Sequence, residues 1–373
     1  MGRCPAESGG RMKRLPGLEH GMGIGGWLTN YKRFNVLPDK WRLPLTVGDM
    51  EHFASYITER DVDYIASLGM DHIRVGFDQI VLEEAPYRYR EEILCHLDRF
   101  VGWCRDRGLR PVLNLHKAVG NYCDIEEPVS LLDDDALGDR FTALWTMLED
   151  RFSGEPSVVF ELLNEVRDVD PEKWNSLAAR TLDALRKKNP DRYVIVGPTC
   201  WNNPPMLKRL RIFDDERVIY TFHMYAPHEF THQRGVLQAP QLFYNRDMPY
   251  PCDIDRYRDF HRTVWNNPNA YPEYDRMDIR YIRDALRPAV EFAEAHPDLT
   301  LWCGEFGTIR HARIEWRENW MRDVITVLKE NGIPWCVWNY LSTPNDGNRF
   351  SLVDDDNRRI LSEELGRIIR GDF

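Results

Sequence analysis

The sequence predicts an α/β fold, a closed (β/α)8 TIM barrel with a small inserted subdomain after the sixth strand. Three observations lead there. Strand-like and helix-like segments alternate along most of the 373 residues. Eight of those segments read as strands. Seven of the eight deliver a polar or large aromatic group at the C-terminal end, the end where a barrel carries its active site.

The elements follow in order. Met22–Trp27 is a short glycine-rich strand. Thr58–Leu68 has helical spacing, with Asp61 and Asp63 in its first turns, and His72–Phe77 is the second strand. Arg90–Arg107 is helical and Arg110–Leu115 is the third strand. Asp133–Phe152 is helical and runs into the apolar strand Val158–Leu163. Pro171–Lys187 opens on a proline, which a first helical turn tolerates. Tyr193–Val196 and Val218–Phe222 are the fifth and sixth strands. Arg280–Ala295 is a helix, Leu299–Cys303 a strand, Arg313–Glu330 a helix, Pro334–Trp338 the last strand and Ser362–Ile369 the last helix.

An open doubly wound sheet is the rival architecture, and 21-GMGIGG-26 superficially resembles its phosphate turn. Trp27 and Leu28 follow, however, instead of a helix opening. Residues 226–277 show no clear strand and are dense in aromatics, Asn and Pro. A structureless loop that long is unusual in a compact domain, so this stretch reads as the inserted subdomain. Residues 1–20 read as a tail and 21–373 as one catalytic barrel.

Bulk properties narrow the function. The formal net charge of −11 argues against nucleic acid and anionic membrane as partners. No apolar run reaches membrane-spanning length, and no apolar core follows the basic residues of the N-terminus. A cytoplasmic location is the expectation. The eight cysteines are scattered, without a CxxC pair or a Cys/His cluster, so reduced thiols are expected and no structural zinc is suggested. The two Asp triplets, 133–135 and 354–356, read as solvated charge runs rather than Ca²⁺ sites. Twelve Trp suit a large core and also flat, apolar-faced ligands such as sugar rings. Nothing in the sequence speaks to oligomeric state.

The strand ends carry the chemistry. They present Arg74, His116, Asn164 with Glu165, Trp201 with Asn202, His223 with Tyr225, Glu305 and Trp338. Glu165 and Glu305 are two carboxylates on one rim, the pair that glycoside hydrolysis needs: one acid and base, one nucleophile or activator of water. Arg74 is expected to hold a neighbouring carboxylate ionised. Tyr225 is expected to donate to the nucleophile, Asn164 to bond a sugar 2-hydroxyl, and Trp338 to stack on a sugar face. Each residue alone is more often structural than catalytic; their shared rim is the signal. A lyase or aldolase would need a strand-end Lys. Lys117 is the one candidate, and alternation beside His116 is expected to turn it off the site.

The stretches 21-GMGIGGWL-28, 72-HIRVGF-77, 162-LLNEV-166, 221-TFHMY-225, 303-CGEFG-307 and 337-VWNY-340 resemble the motifs of the family 5 glycoside hydrolases, from about Gly21 to the C-terminus. 52-HFASYITERDV-62 and 230-FTHQ-233 are similar to the clostridial endoglucanase branch, which has a helical subdomain after strand six. The resemblance implies a retaining enzyme acting on β-1,4-linked glucan or its oligosaccharides, with Glu165 as acid/base and Glu305 as nucleophile, a chemistry expected to require no metal or organic cofactor. It implies that Arg74, His116, Asn164, His223, Tyr225 and Trp338 complete the site. Trimming of β-1,3-glucan, mannan or xyloglucan fragments is the alternative, and a non-catalytic sugar-binding barrel is a more distant one. Two departures stand out: Val166 follows Asn-Glu where Pro is frequent, and Lys117 follows His116 where a second His is frequent.

Overall fold

The computed structural model describes residues 13–30, 45–122, 128–235, 239–343, 346–347 and 349–373. Eight strands close a barrel in which every neighbouring pair is parallel. Numbered in chain order, they are β1 (His20–Leu28), β2 (His72–Asp78), β3 (Arg110–Lys117), β4 (Val159–Glu161), β5 (Tyr193–Val196), β6 (Val218–Met224), β7 (Thr300–Phe306) and β8 (Trp335–Val337). The long helices Glu91–Asp106, Asp135–Phe152, Pro171–Lys188, Ile279–Ala295 and Ile314–Glu330 lie between them in sequence. Their start signals are local: Asp134, Asp170 and Asp278 each accept a backbone N–H of the first turn.

The barrel interior is layered. Val112, Val159, Ile195, Ile219, Trp302 and Cys336, one from each of six strands, form a buried apolar layer with Leu15 and Leu18. Residues 13–19, which the sequence reading gave to a tail, therefore belong to the barrel; residues 1–12 lie outside the described residues. Because strand side chains alternate, the next inward positions above this layer are Asn114, Glu161 and Thr221, and then His116 and His223. One step of two residues thus carries the interior from apolar to polar. All of Asn114, Glu161, Thr221 and Arg74 are fully buried.

Register shifts occur in four of the barrel's strand pairs, and those on β7 and β3 bear on the rim. On β7 the pairing with β6 slips between Cys303 and Glu305, so that Glu305 stands beside His223. Without that bulge, Trp302 and Glu305 would face opposite sides of the sheet. On β3 the slip falls between Leu115 and Lys117.

Between β6 and the helix Ile279–Ala295, the chain forms helices His228–Thr231, Ala239–Tyr244 and Asp255–Trp265, with a two-residue antiparallel pair, Cys252–Asp253 against Arg276–Met277. Its Phe230, Tyr250, Tyr257 and Phe260 belong to the main hydrophobic core. Trp320 on the helix Ile314–Glu330 donates to the Ala226 carbonyl, and Tyr250 donates to Asp323 on the same helix. Among the described residues no helix is long and apolar enough to cross a membrane, and the described cysteines 95, 104, 200, 252, 303 and 336 are unpaired.

Candidate active site

The polar rim encloses a cavity of about 710 Å³. Its floor is organised by Arg74, whose side chain is fully buried in mid-β2. Arg74 Nε and Nη2 donate to the two oxygens of Glu161 at 2.6 and 3.0 Å. Nη2 also donates to Asn164 Oδ1 at 2.7 Å, and Nη1 to Glu305 Oε2 at 2.6 Å. Burial opposes the guanidinium charge, but Glu161 and Glu305 outweigh it and hold the group above its ordinary range. The planar fork spends its donors on three acceptors from β4, the turn after it and β7, so one side chain of β2 ties together two strand ends.

Glu305 receives a second short bond, from Tyr225 Oη to Oε1 at 2.6 Å. Each of its oxygens is therefore held by a donor. Burial pushes the Glu305 carboxyl up, against the pull of His223 and Arg74, and burial wins. The expected lowering by Arg74 exists but is the lesser effect. Burial and the neighbouring Glu305 also raise the Tyr225 hydroxyl well above its ordinary range, so it stays an O–H donor.

Glu165 follows β4 with φ +45°, a left-handed conformation that is costly outside glycine. Its Oε1 lies 2.8 Å from His223 Nδ1. Burial lowers the His223 imidazole to about 4, so the ring is neutral at neutral pH. Glu165, His223 and Glu305 each place one ligand-type atom within 4.8 Å of the others. This is the one described group that could hold a metal ion. Its His223 Nδ1 and Glu165 Oε1 face each other, and both Glu305 oxygens already accept bonds.

Trp338 lies across the far wall. His116 stacks on it with ring centroids 5.5 Å apart and planes at 8°, and Arg74 sits 5.8 Å from its ring. The glycines of β1 make this room. A Cβ at Gly23 or Gly25 would come within 2.7 or 2.6 Å of the Trp338 ring. The Gly-rich stretch that superficially resembles a phosphate turn is thus a seat for an aromatic platform.

Of the ten residues expected at the site, His116, Asn164, Glu165, Trp201, His223, Tyr225, Glu305 and Trp338 line the cavity. Two expectations are corrected. Arg74 does not reach the cavity; it lies beneath the surface and holds other side chains. Asn202 is also fully buried and does not line the cavity; its amide contacts His223 Nε2 at 3.1 Å. Trp201 beside it is 42% exposed on the rim. Lys117 reverses its expectation in the opposite sense. It is 4% exposed and lines the cavity, because the β3 bulge breaks the alternation that would have turned it away.

Sequence reasoning missed Glu161, and a signal was there: a charged residue inside the apolar run VVFELL demands a buried partner. It also missed His228 and Phe350 on the cavity wall, whereas His232, which the sequence places in the inserted segment over the cleft, does line it. His232 packs edge-on against Tyr225 and Phe350 at 5.2 and 5.1 Å, a clustering no linear pattern displays.

Comparison with known proteins follows the same lines. The model of the cellulase family (glycosyl hydrolase family 5) matches residues 40–343. Endoglucanase C of Acetivibrio thermocellus is 33% identical over 356 residues, covering 94% of this chain and 97% of that protein. Cellodextrinase A of Ruminococcus flavefaciens is 28% identical over 327 residues, covering 86% and 85%. Among solved structures, a hyperthermophilic endo-β-1,4-glucanase in complex with substrate has TM-score 0.71 at 22% identity, covering 95% of this chain and 97% of that one. At that identity the likeness concerns the fold alone.

Proposed function

We propose that this chain, which belongs to glycosyl hydrolase family 5, the cellulase family, cleaves internal β-1,4 bonds of β-glucan with Glu305 as nucleophile and Glu165 as acid/base. As a family member the chain is a glycoside hydrolase acting on β-1,4-glucan with retention. What supports the residue assignment is one distance. A Glu165 oxygen and a Glu305 oxygen lie within 4.8 Å. Retaining enzymes hold their carboxyls roughly 5–5.5 Å apart, whereas inverting ones leave about 6.5–9.5 Å for a water.

The environments divide the roles. Glu305, gripped at both oxygens by Arg74 and Tyr225, attacks the anomeric carbon while Glu165 gives its proton to the departing glycosidic oxygen. The glycosyl ester that forms consumes the Glu305 charge, and Arg74 then remains neutralised by Glu161. Glu165, now a carboxylate, takes a proton from water, and the hydroxide equivalent attacks the same carbon, releasing sugar and restoring Glu305. Trp338 and Trp201 offer sugar-stacking faces on the cavity wall, and Asn164 and His116 line the same cavity with polar edges. Because burial raises Glu305, the acidic limb of kcat/KM falls above the ordinary glutamate value of 4.5.

The endo reading rests on likeness to endoglucanase C, and the likeness to cellodextrinase A favours short oligosaccharides as a second reading. Mass spectrometry of products from carboxymethyl cellulose, barley β-glucan, laminarin, glucomannan, xyloglucan and cello-oligosaccharides separates them. Mixed oligosaccharides from barley glucan, absent with Glu305→Gln, are expected. Release only from short oligomers would replace the endo reading with the trimming one.

A further inference from the structure

A neutral histidine has one N–H, and His223 faces an acidic oxygen on one side and an amide on the other. Its Nδ1 is 2.8 Å from Glu165 Oε1, and its Nε2 is 3.1 Å from Asn202 Nδ2. An amide NH2 only donates, so it can bond Nε2 only when that nitrogen carries no proton. The single N–H then sits on Nδ1 and points at Glu165. We infer that Asn202 is a positioning residue: it fixes the His223 tautomer and so decides which oxygen of Glu165 carries the catalytic proton. The inference rests on Glu165 being the acid/base.

The consequence follows from counting protons. With Nδ1–H donating to Oε1, the catalytic proton of Glu165 resides on Oε2. With the opposite tautomer, the bare Nδ1 would accept a proton from Oε1–H and sequester it. The same second-line logic governs histidines whose outer nitrogen is set by a fixed partner.

The backbone is built to hold Asn202 there. Cys200, Trp201 and Asn202 have φ of 57°, 57° and 54°, three successive left-handed residues without a glycine. Such a turn persists only where its surroundings over-determine it. Cys200 N donates to the Arg167 carbonyl at 3.2 Å and Trp201 N to the Val166 carbonyl at 2.9 Å, so the turn hangs on the two residues after Glu165. A Cβ at Gly197 would come within 2.5 Å of Asn202 Oδ1, so the position preceding the turn is kept bare for the amide. One turn thus presents Trp201 to the cleft and Asn202 to the proton path.

The test has two arms. The first needs no variant: 15N NMR of histidine-labelled protein reads which ring nitrogen of His223 is protonated. A proton on Nδ1 is expected; a neutral ring protonated on Nε2 overturns the inference. The second compares cellopentaose, whose leaving group needs the acid, with 2,4-dinitrophenyl β-cellobioside, whose leaving group does not. Asn202→Leu and Asn202→Asp are expected to lose roughly tenfold or more of kcat/KM on cellopentaose while staying within about threefold on the dinitrophenyl glycoside. Equal losses on both, or none on either, overturn it. Glu165→Gln is the reference. If it lacks the same substrate split, the acid/base reading itself fails; if it shows the split and the Asn202 variants do not, only the role of Asn202 fails.

Discussion

The barrel rim and the inserted segment each bury a glutamate in contact with the cleft wall, and they treat it in opposite ways. Glu305 on β7 is pushed up by burial despite Arg74, His223 and Tyr225. Glu229, on the helix His228–Thr231 beside the cleft-lining His228, is also pushed up by burial, but hydrogen bonds from His261 and Tyr271 outweigh it and bring it down. The rim keeps its carboxylate in a state the fold would rather neutralise, where charge is ready to be spent on a carbon. The insertion keeps its carboxylate content, as a pin between the helices His228–Thr231 and Asp255–Trp265. A buried acid therefore announces function less by being buried than by having burial outweigh the partners that favour its charge.

The contrast is broken most directly at its reactive end. Glu305→Gln is expected to cut kcat roughly ten-thousand-fold or more on every glucan, as loss of a nucleophile does elsewhere, with no fall in Tm. Near-normal turnover would remove Glu305 from the mechanism, and a large Tm loss would make it a structural residue like Glu229. Next comes Arg74→Met. It leaves Glu161 and Glu305 buried together without their shared cation, so a loss of about 3–5 kcal/mol in denaturant unfolding is expected alongside lost activity. A smaller effect is expected from Glu229→Gln. Weakening a charge-assisted pair should cost about 1–3 kcal/mol, raise KM for long oligosaccharides, and leave kcat within about threefold. If kcat falls while KM stays, the insertion takes part in chemistry and the contrast collapses.

The rim was legible in the sequence residue by residue, whereas the insertion was legible only as a break in the alternation, for the same physical reason. Strand side chains repeat every two residues, so Asn164, Glu165, His223 and Glu305 announce themselves at the ends of apolar runs. What alternation does not report is depth. Arg74 and Glu161 lie on the right strands but below the cavity surface. Asn202 lies at the right strand end, yet a left-handed turn carries it behind His223. Lys117 escaped because a bulge resets alternation locally. In the insertion only the helix Asp255–Trp265 carries a period, its buried Tyr257 and Phe260 standing three residues apart. Its helices run 4, 6 and 11 residues and its strands two. They are held by contacts such as Tyr244 on Phe260 and Phe230 on Tyr250, which appear only once the chain has folded.

The finest test of the contrast is the pH at which each glutamate matters. Glu229 is lowered from 4.5, so its charge contributes stability in full above that value and loses it as pH falls through the folded pKa. Glu305 is raised from 4.5, so its charge costs stability above the folded pKa, and the cost vanishes as pH falls toward 4.5. Unfolding free energies of the two Gln variants, measured against the unsubstituted chain from pH 8 to pH 4, should therefore show charge-linked differences of opposite sign. Glu229→Gln lies below the reference throughout that range and begins to rejoin it only at the acid end. Glu305→Gln lies above it at neutral pH, starts to close on it at the higher, folded pKa, and rejoins it only below 4.5. Histidines lowered by burial, among them His116, His223, His228 and His232, also withdraw stability as pH falls below 6.5. Glu305 raises His223 and Glu229 raises His228, so each Gln variant also deepens the acid-side loss at one of these rings, and the sign of each difference is read near pH 8, where all four are neutral. Two curves of the same sign would mean that both regions bury their acids for the same reason, and the division between a reactive wall and a pinned one would have to be given up.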